Sequence, residues 1–497
     1  MASEIRVNKL NSQTGVGTIT LSPTGVDISG ITTAETLKAT TGIVTTLTAT
    51  TGIVTTFEAT TGDITTLRAP TGIVTSLEAT TGDITTLRAP TGIVTTFVTN
   101  TAKVGAAVTI TESGIEATGV GITCANLNGG QLSHRNKIIN GGMKIFQRGT
   151  SEQRSGGNDG YYNGIADRWA IRMHSSVAQT GFSQDTTDNP EGFGTNQKSV
   201  RSNAGSSNAA KYYVFDTILE GQDLQDFAKG TSDAKEFTLS FYIKTGVSGV
   251  YCVEMRDLDN ARMVGGTYTV SNSNWNRYVI TFPADTTGKF DNDNGGSLWV
   301  RFWLAAGSSF TSGTARTTWG SFSGSDIAVG QTAQVGDNVA DTWQITGVQL
   351  EVGSQATAFE HRSFGEELSL CQRYYYKSMQ YGFTPQQAIP STGQQDTDVD
   401  GYLGWVMYTT TSCRSPYFNH PVDMRTEPTV TIYSSARVSS PTDNRLAIYN
   451  GVGWLNTASC SANVNAKKVG FNGTVSSALT AAGTYLIGGG FDCDAEL

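Results

Sequence analysis

The feature that most restricts this chain is a ten-residue repeat running from residue 41 to residue 100. Its units read TGIVTTLTAT, TGIVTTFEAT, TGDITTLRAP, TGIVTSLEAT, TGDITTLRAP and TGIVTTFVTN, and a looser copy, ITTAETLKAT, precedes them. The second position is always glycine. The fourth is always β-branched (Val44, Val54, Ile64, Val74, Ile84, Val94), and the seventh is always Leu or Phe (Leu47, Phe57, Leu67, Leu77, Leu87, Phe97). Threonine fills much of the rest, and branched side chains fit a pleated strand surface. Glycine and proline mark the hand-over between units. A fixed short period of this kind specifies a linear repeat structure rather than a globular core.

One chain cannot shelter such units alone. Each offers only about three inward apolar side chains, too few for a thin strand-turn element to enclose. A single-chain solenoid with two units per rung would stack Glu58 on Glu78 and Arg68 on Arg88. Like charges facing each other on adjacent strands are unfavourable. A pentapeptide solenoid would need Leu or Phe every half unit, and here it comes once per unit. Three chains stepping one unit at a time alternate the charges and bury Val, Leu and Ala at the axis. Residues 31–100 are therefore expected to form a trimeric β-prism or β-spiral shaft, with the fourth- and seventh-position residues named above as its trimer core.

The flanks read as strands too. Residues 1–30 hold two short strand-like runs around Gly15-Val16-Gly17 and form a head where a shaft would join a larger particle. Residues 101–135 form a neck. Residues 136–375 carry spaced alternating runs at 237–246, 250–257, 277–282, 298–306 and 342–353, separated by turns such as Asn163-Gly164 and Asn294-Gly295-Gly296. That spacing predicts a β-sandwich or jelly roll. Within 298–306, Leu298, Val300, Phe302 and Leu304 share one face, the core. Trp299, Arg301 and Trp303 share the other, expected to meet a neighbouring chain. Residues 364–376 have helical spacing, with acids first and Arg373 late. Residues 376–497 form a smaller β-rich tip. The expected class is all-β, an elongated homotrimer with a repetitive shaft followed by sandwich domains.

Composition narrows the function classes. Charged residues are 15%, well below the usual quarter, and the net charge is −9 with no basic run, which excludes a nucleic-acid partner. The N-terminus has no apolar segment behind it, and no stretch approaches the roughly 20 apolar residues of a membrane helix. The chain is thus expected to lack a leader, to leave its cell by lysis, and to insert in no membrane. Cys124, Cys252, Cys371, Cys413, Cys460 and Cys493 show no paired spacing and read as buried free thiols.

Candidate chemistry is sparse. His134, His174, His361 and His420 are isolated, so no metal cluster is expected. Residues 291–295 read as an Asx turn rather than a calcium loop, which would need a glutamate where Phe302 stands. A glycosidase needs paired carboxylates, but Glu254, Asp257, Asp259, Glu366 and Glu367 read as solvated loop or helix acids. No catalytic residue, metal or cofactor is expected. Sugar recognition needs aromatic faces beside hydrogen-bonding groups. The tip offers Tyr402, Trp405, Tyr408, Tyr449, Asn450 and Trp454 as receptor-binding candidates, with Tyr417 and Asn456 nearby.

Several stretches resemble bacteriophage tail-fibre proteins, especially those of marine and cyanobacterial phages. These are residues 136–149 (NKIINGGMKIFQRG), 166–169 (ADRW), 347–375 (GVQLEVGSQATAFEHRSFGEELSLCQRYY) and 423–431 (DMRTEPTVT), together with the repeat and the VNKLNSQTGVGTITL head. The resemblance covers about half the chain. It implies a carbohydrate-binding-module-like sandwich, a homotrimer, and host recognition by the distal end. The expected function is attachment of a virion to a bacterial surface glycan or protein. The expected partners are tail or adaptor proteins at the N-terminus and the host surface at the C-terminus. The expected place is the virion tail, reached through the host cytoplasm during assembly. The rival readings are a polysaccharide-depolymerising tailspike and a capsid-attached adhesion fibre.

Overall fold

The structure is a computed structural model. It describes residues 9–11, 17–22, 25–30, 101–103, 108–111, 114–117, 133–154, 160–163, 166–174, 180–203, 208–385, 405–434 and 444–497. The shaft repeat, and with it every side chain assigned to the trimer core, lies outside the described residues, as does Tyr402.

The chain divides into two compact units, Met1–Val120 and Gly121–Leu497. The first contains two antiparallel three-stranded meanders: β1 (Lys9–Asn11), β2 (Gly17–Ser22) and β3 (Gly25–Gly30), then β4 (Thr101–Lys103), β5 (Val108–Thr111) and β6 (Gly114–Ala117).

The second unit begins with a two-layer antiparallel sandwich. One sheet runs in the order β16 (Asn276–Phe282), β13 (Phe237–Thr245), β19 (Thr342–Val352), β11 (Asn196–Arg201), β10 (Thr180–Asp185) and β7 (Ser151–Arg154). The other runs β18 (Gly320–Ser321), β15 (Arg262–Val270), β14 (Gly249–Asp257), β17 (Gly296–Ala306), β12 (Tyr212–Glu220), β9 (Ala170–His174) and β8 (Gly160–Asn163). Period-two alternation sends Phe237, Leu239, Phe241 and Ile243 of β13 inward to meet Leu298, Val300, Phe302 and Leu304 of β17. Trp169 stacks on Phe215 with ring centres 4.7 Å apart, in the same core.

The far side of β19 is polar yet buried, because the segment at 136–142 lies along it. Lys137 N–H donates to the Leu350 carbonyl, and Val348 N–H donates to the Gly141 carbonyl, both at 2.9 Å. Asn136 Oδ1 accepts from Ile138 and Leu350 N–H. A Cβ on Gly141 would fall 2.0 Å from the Val348 oxygen, so only glycine lets the two backbones approach this closely. The NKIINGG motif thus has a structural duty, as an extra covering of the sheet.

A one-turn helix α1 (Ser308–Thr311) lies in the loop after β17. Helix α2 (Phe364–Gln372) follows the sandwich, with Ser363 Oγ accepting from Glu366 N–H as its N-cap. It ends four residues before the expected limit. Tyr374 turns away to donate to Glu220, and Tyr375 starts β20 (Tyr375–Lys377). β20 pairs with β29 (Gly490–Asp494), which also pairs with β24 (Thr429–Tyr433). The remaining strands close into a small barrel: β21 (Trp405–Met407), β28 (Thr484–Gly488), β25 (Ala447–Tyr449), β26 (Trp454–Asn465), β27 (Lys468–Val475) and β22 (Ser412–Arg414). β22 completes the ring by pairing with both β21 and β27, and β23 (Phe418–Asn419) adds to β27. Five cysteines are described, all unpaired, and four of them are buried.

Three acids depart from the sequence expectation. Glu254 and Asp257 are 0% exposed and Glu367 is 6% exposed, so they are not solvated. Each has acquired a fixed set of partners: Glu254 meets Arg301, Asp257 meets Lys229, and Glu367 meets Arg362. Ion pairing of this kind is what allows a charge to leave water.

Candidate functional site

The outer face of the seven-stranded sheet carries the densest chemistry among the described residues. It is set by the alternation of β17, whose core side chains leave Trp299, Arg301 and Trp303 pointing outward. Register then fixes their neighbours. Arg301 lies opposite Asp216 on β12 and Glu254 on β14. Trp299 lies opposite Ile218 and Arg256, and Trp303 opposite Val214 and Cys252. β9 adds Arg172 at the next strand.

Half of this face is covered. Trp303 packs with Val214, Cys252, Met263 and Ile327, and Phe310, in the loop after β17, and Phe322, just past β18, close over them. The other half is a network of three guanidinium groups and two carboxyls. Arg172 Nε donates to Asp216 Oδ2 at 2.8 Å. Arg301 Nη1 reaches Glu254 Oε2 at 3.4 Å, and its Nε stands 3.7 Å from Asp216 Oδ2. The Trp303 indole donates to Glu254 Oε2 at 3.2 Å. The Trp299 ring carries the Arg301 guanidinium 3.1 Å from its centre and that of Arg172 at 4.5 Å.

The network is not saturated. Asp216 Oδ1, Glu254 Oε1, Arg256 Nε, Trp299 Nε1 and Arg301 Nε are all buried without a hydrogen bond of normal geometry. The Trp299 indole is close enough to Asp216 to favour its charge, but not aligned to bond it. Burial pushes the Asp216 carboxyl above the usual range, against the pull of Arg301 and Arg172. Buried polar atoms in folded proteins are nearly always satisfied, so five orphans on one face mark a surface that fits a polar ligand or ordered water. One end of the face is closed by Arg168, Ala170, Ile218, Glu496 and Leu497, which leave about 10 Å³, room for one water.

A second place lies on the barrel wall. Val406, Tyr408, Arg414, Ser415 and Pro416 line an open groove of about 450 Å³. Tyr408 is 57% exposed there, with the Arg414 guanidinium 5.4 Å from its ring and Arg414 Nε donating to Asn472. Tyr417 is also exposed, beneath Lys468.

The tip candidates separate accordingly. Tyr408 lines the groove. Trp405 does not: it is 0% exposed, in the barrel core, because it points opposite to Val406 on a strand whose other face is the wall. Tyr449 and Trp454 pair across the β25–β26 hairpin with ring centres 5.4 Å apart. Asn450 builds that hairpin's turn, its Oδ1 accepting from Val452 and Gly453 N–H. The sequence had put Trp299 and Arg301 on one face but gave that face to a neighbouring chain. It missed Asp216, Glu254, Arg256 and Arg172 as their companions. The signal was available in VYCVEMRD, where Glu254 and Arg256 share a face by the same alternation. In the loop at 291–295, Asp293 Oδ1 accepts from Gly295 N–H as an Asx turn does.

No protein-family model matches this sequence, and no curated protein matches it. Solved structures similar to it include the enzymatically active domain of tailspike protein 4 of bacteriophage CBA120, with a TM-score of 0.22 and 12% identity, covering 44% of this chain and 21% of that one. The chain thus spans about a fifth of that protein. The CBM22-1 xylan-binding domain from Paenibacillus barcinonensis Xyn10C gives a TM-score of 0.21 and 10% identity, covering 45% of this chain and 100% of that one. A Stig cyclase from Fischerella gives 0.23 and 11%, covering 45% and 98%. Likeness at this level says nothing about what this chain binds. Against the expectation that the chain does no chemistry, the similar structures include an enzymatically active tailspike domain and a cyclase.

Proposed function

We propose that this chain is a bacteriophage tail fibre that attaches the virion to a bacterial surface, and that its sandwich holds a surface glycan on the outer face of the seven-stranded sheet. The observation that carries the glycan reading is the set of orphaned donors and acceptors around Trp299. Sugar hydroxyls both donate and accept, so one ring can satisfy a carboxylate oxygen and a guanidinium N–H together. The apolar side of the ring would meet the indole, once the arginines beside it are drawn to the ligand. The fibre reading rests on the ten-residue repeat, whose apolar positions need three chains, and on the resemblance in residues 347–375. Three copies of a shallow site would gain by avidity. In this reading the N-terminal segment joins tail or adaptor proteins and the tip's Tyr408 groove adds a further host contact.

The test uses the full-length protein. Its mass by light scattering should be that of three chains. It should bind host cells and block adsorption of the phage, and Trp299→Ala and Glu254→Gln should weaken binding at temperatures where both variants remain folded. A mass of one chain removes the fibre. Undiminished binding by both variants removes the face.

A second reading has an observation of its own. Asp216 and Glu254 are buried carboxyls two strand spacings apart, about 9.6 Å between backbones, and burial raises the Asp216 carboxyl toward the range of a general acid. Arg301 lies between them, paired to both. Release of reducing ends from host envelope glycan, abolished by Asp216→Asn, would establish cleavage. No release from the native envelope would leave binding alone.

A further inference from the structure

The three arginines of the proposed glycan face are not equivalent. Arg172 donates to Asp216, and Arg301 is paired with both Asp216 and Glu254. Arg256, on the same face at the register of Trp299, makes no hydrogen bond or ion pair within 4 Å among the described residues. Its Nε is buried and orphaned. What holds the guanidinium is packing: it stacks 3.6 Å over the Phe322 ring and lies 5.9 Å from Trp299. Phe322 helps to close the apolar half of the face, so Arg256 stands where covered and open halves meet.

The charges on the face do not balance. Three guanidinium groups face two carboxyls, and the unmatched positive charge is that of Arg256. A guanidinium offers five donors in a planar fork that suits a carboxylate or a sulfate through two parallel bonds. A neutral sugar laid over that guanidinium would cover the charge without giving it a partner, which is costly.

We propose that the face selects an acidic glycan, with the anion of a uronate, sialate or sulfated sugar received by Arg256 and the neighbouring hydroxyls received by Glu254 and Asp216. This rests on the glycan reading of the same face and names its ligand class.

Full-length protein on a glycan array carrying matched neutral, uronate, methyl-esterified uronate, sialylated and sulfated glycans gives the test. Binding should concentrate on acidic glycans, weaken about tenfold when the uronate is esterified, and weaken further as salt is raised. Arg256→Gln should remove the preference for charge. Arg256→Lys, which keeps the charge without the fork, should restore part of it. The uronate, sialate and sulfate arms show which anion fits. Binding of uronate equal to that of its methyl ester, together with sialylated and sulfated glycans bound no better than neutral ones, overturns the acidic selection while the glycan reading stands. Binding to no glycan at all overturns both. The esterified arm changes the ligand and not the protein, so it decides the matter even if an Arg256 variant folds badly.

Discussion

Arg373 grips Glu220 through two parallel hydrogen bonds, Nε to Oε1 and Nη2 to Oε2, both 2.8 Å long. Glu220 ends β12 and is 1% exposed, while Arg373 caps α2 just before the chain enters the barrel, so this pair ties sandwich to barrel. Tyr374 and Gln222 also donate to the same carboxylate. These bonds outweigh burial and hold Glu220 below the usual carboxylate range. Glu220→Gln keeps the shape and removes the charge. It should lower stability by about 1–3 kcal/mol at neutral pH, measured as a shift in the denaturant midpoint. The deficit should begin to shrink as the pH falls through the ordinary glutamate range, where the unfolded chain takes up the proton, and should vanish at the lower pH where the folded carboxyl is also protonated. A deficit that persists unchanged at low pH would mean that shape, not charge, is what Arg373 reads.

How far the sequence reaches can be judged residue by residue. Strands with strict alternation, such as β13 and β17, are legible because one residue in two must face the core. Helix α2 is legible from its acids and spacing, but its end is not, since Tyr374 leaves the helix for a partner 154 positions away. Glu254 and Asp257 were misread for the same reason. Nothing local distinguishes a solvated acid from one whose cation arrives on another strand. Trp405 was misread because a strand of three residues gives no count of which face is which. The covering of β19 by residues 136–142 depends on backbone bonds, which no side-chain pattern announces.

Asp257 and Lys229 form an ion pair with both side chains almost wholly out of water, 0% and 4% exposed. Lys229 also donates to the Thr287 and Gly288 carbonyls, and Asn260 donates to Asp257. Asp257→Ala leaves the buried ammonium with one carboxylate in place of two, Asp285 Oδ2 at 3.1 Å remaining beside it, at a cost of about 1–3 kcal/mol. The double change with Lys229→Met should recover part of it, because Asp285, which Lys229 also pairs with, is still held by Arg262. A double-mutant cycle in chemical denaturation reads the coupling directly. Additive losses would show that the two groups are stabilised separately.

Gly473 of β27 faces the Trp405 indole so closely that a Cβ there would fall 2.9 Å from it and 3.2 Å from the Cys413 sulfur. Trp405→Ala should therefore cost about 3–5 kcal/mol as a cavity-forming change, and Gly473→Val should cost about 1–3 kcal/mol by overpacking. The Trp405 side chain is not open to a receptor. At temperatures where the barrel remains folded, Trp405→Phe should keep host binding, whereas Tyr408→Ala should weaken it if the wall groove is used. Loss of binding by a fully folded Trp405→Phe variant would return Trp405 to the receptor candidates.

Asp167 is the group whose titration should be visible near neutral pH. It is 0% exposed, with Gln147 donating to it twice and Arg148 Nη1 at 3.8 Å. Burial pushes its carboxyl up to about 6, against Arg148 and the Gln147 bonds, with Glu496 adding to the rise. The folded chain thus holds this proton more tightly than the unfolded chain does. A raised acid gives its full stabilisation at pH values below about 4 and loses it as the pH climbs through about 6. Asp167→Asn cannot titrate. The native protein's stability relative to that variant should then fall by about 2–3 kcal/mol between pH 4 and pH 7, read as the difference of their denaturant midpoints at each pH. The opposite slope would mean that the Arg148 ion pair, and not burial, governs the carboxyl.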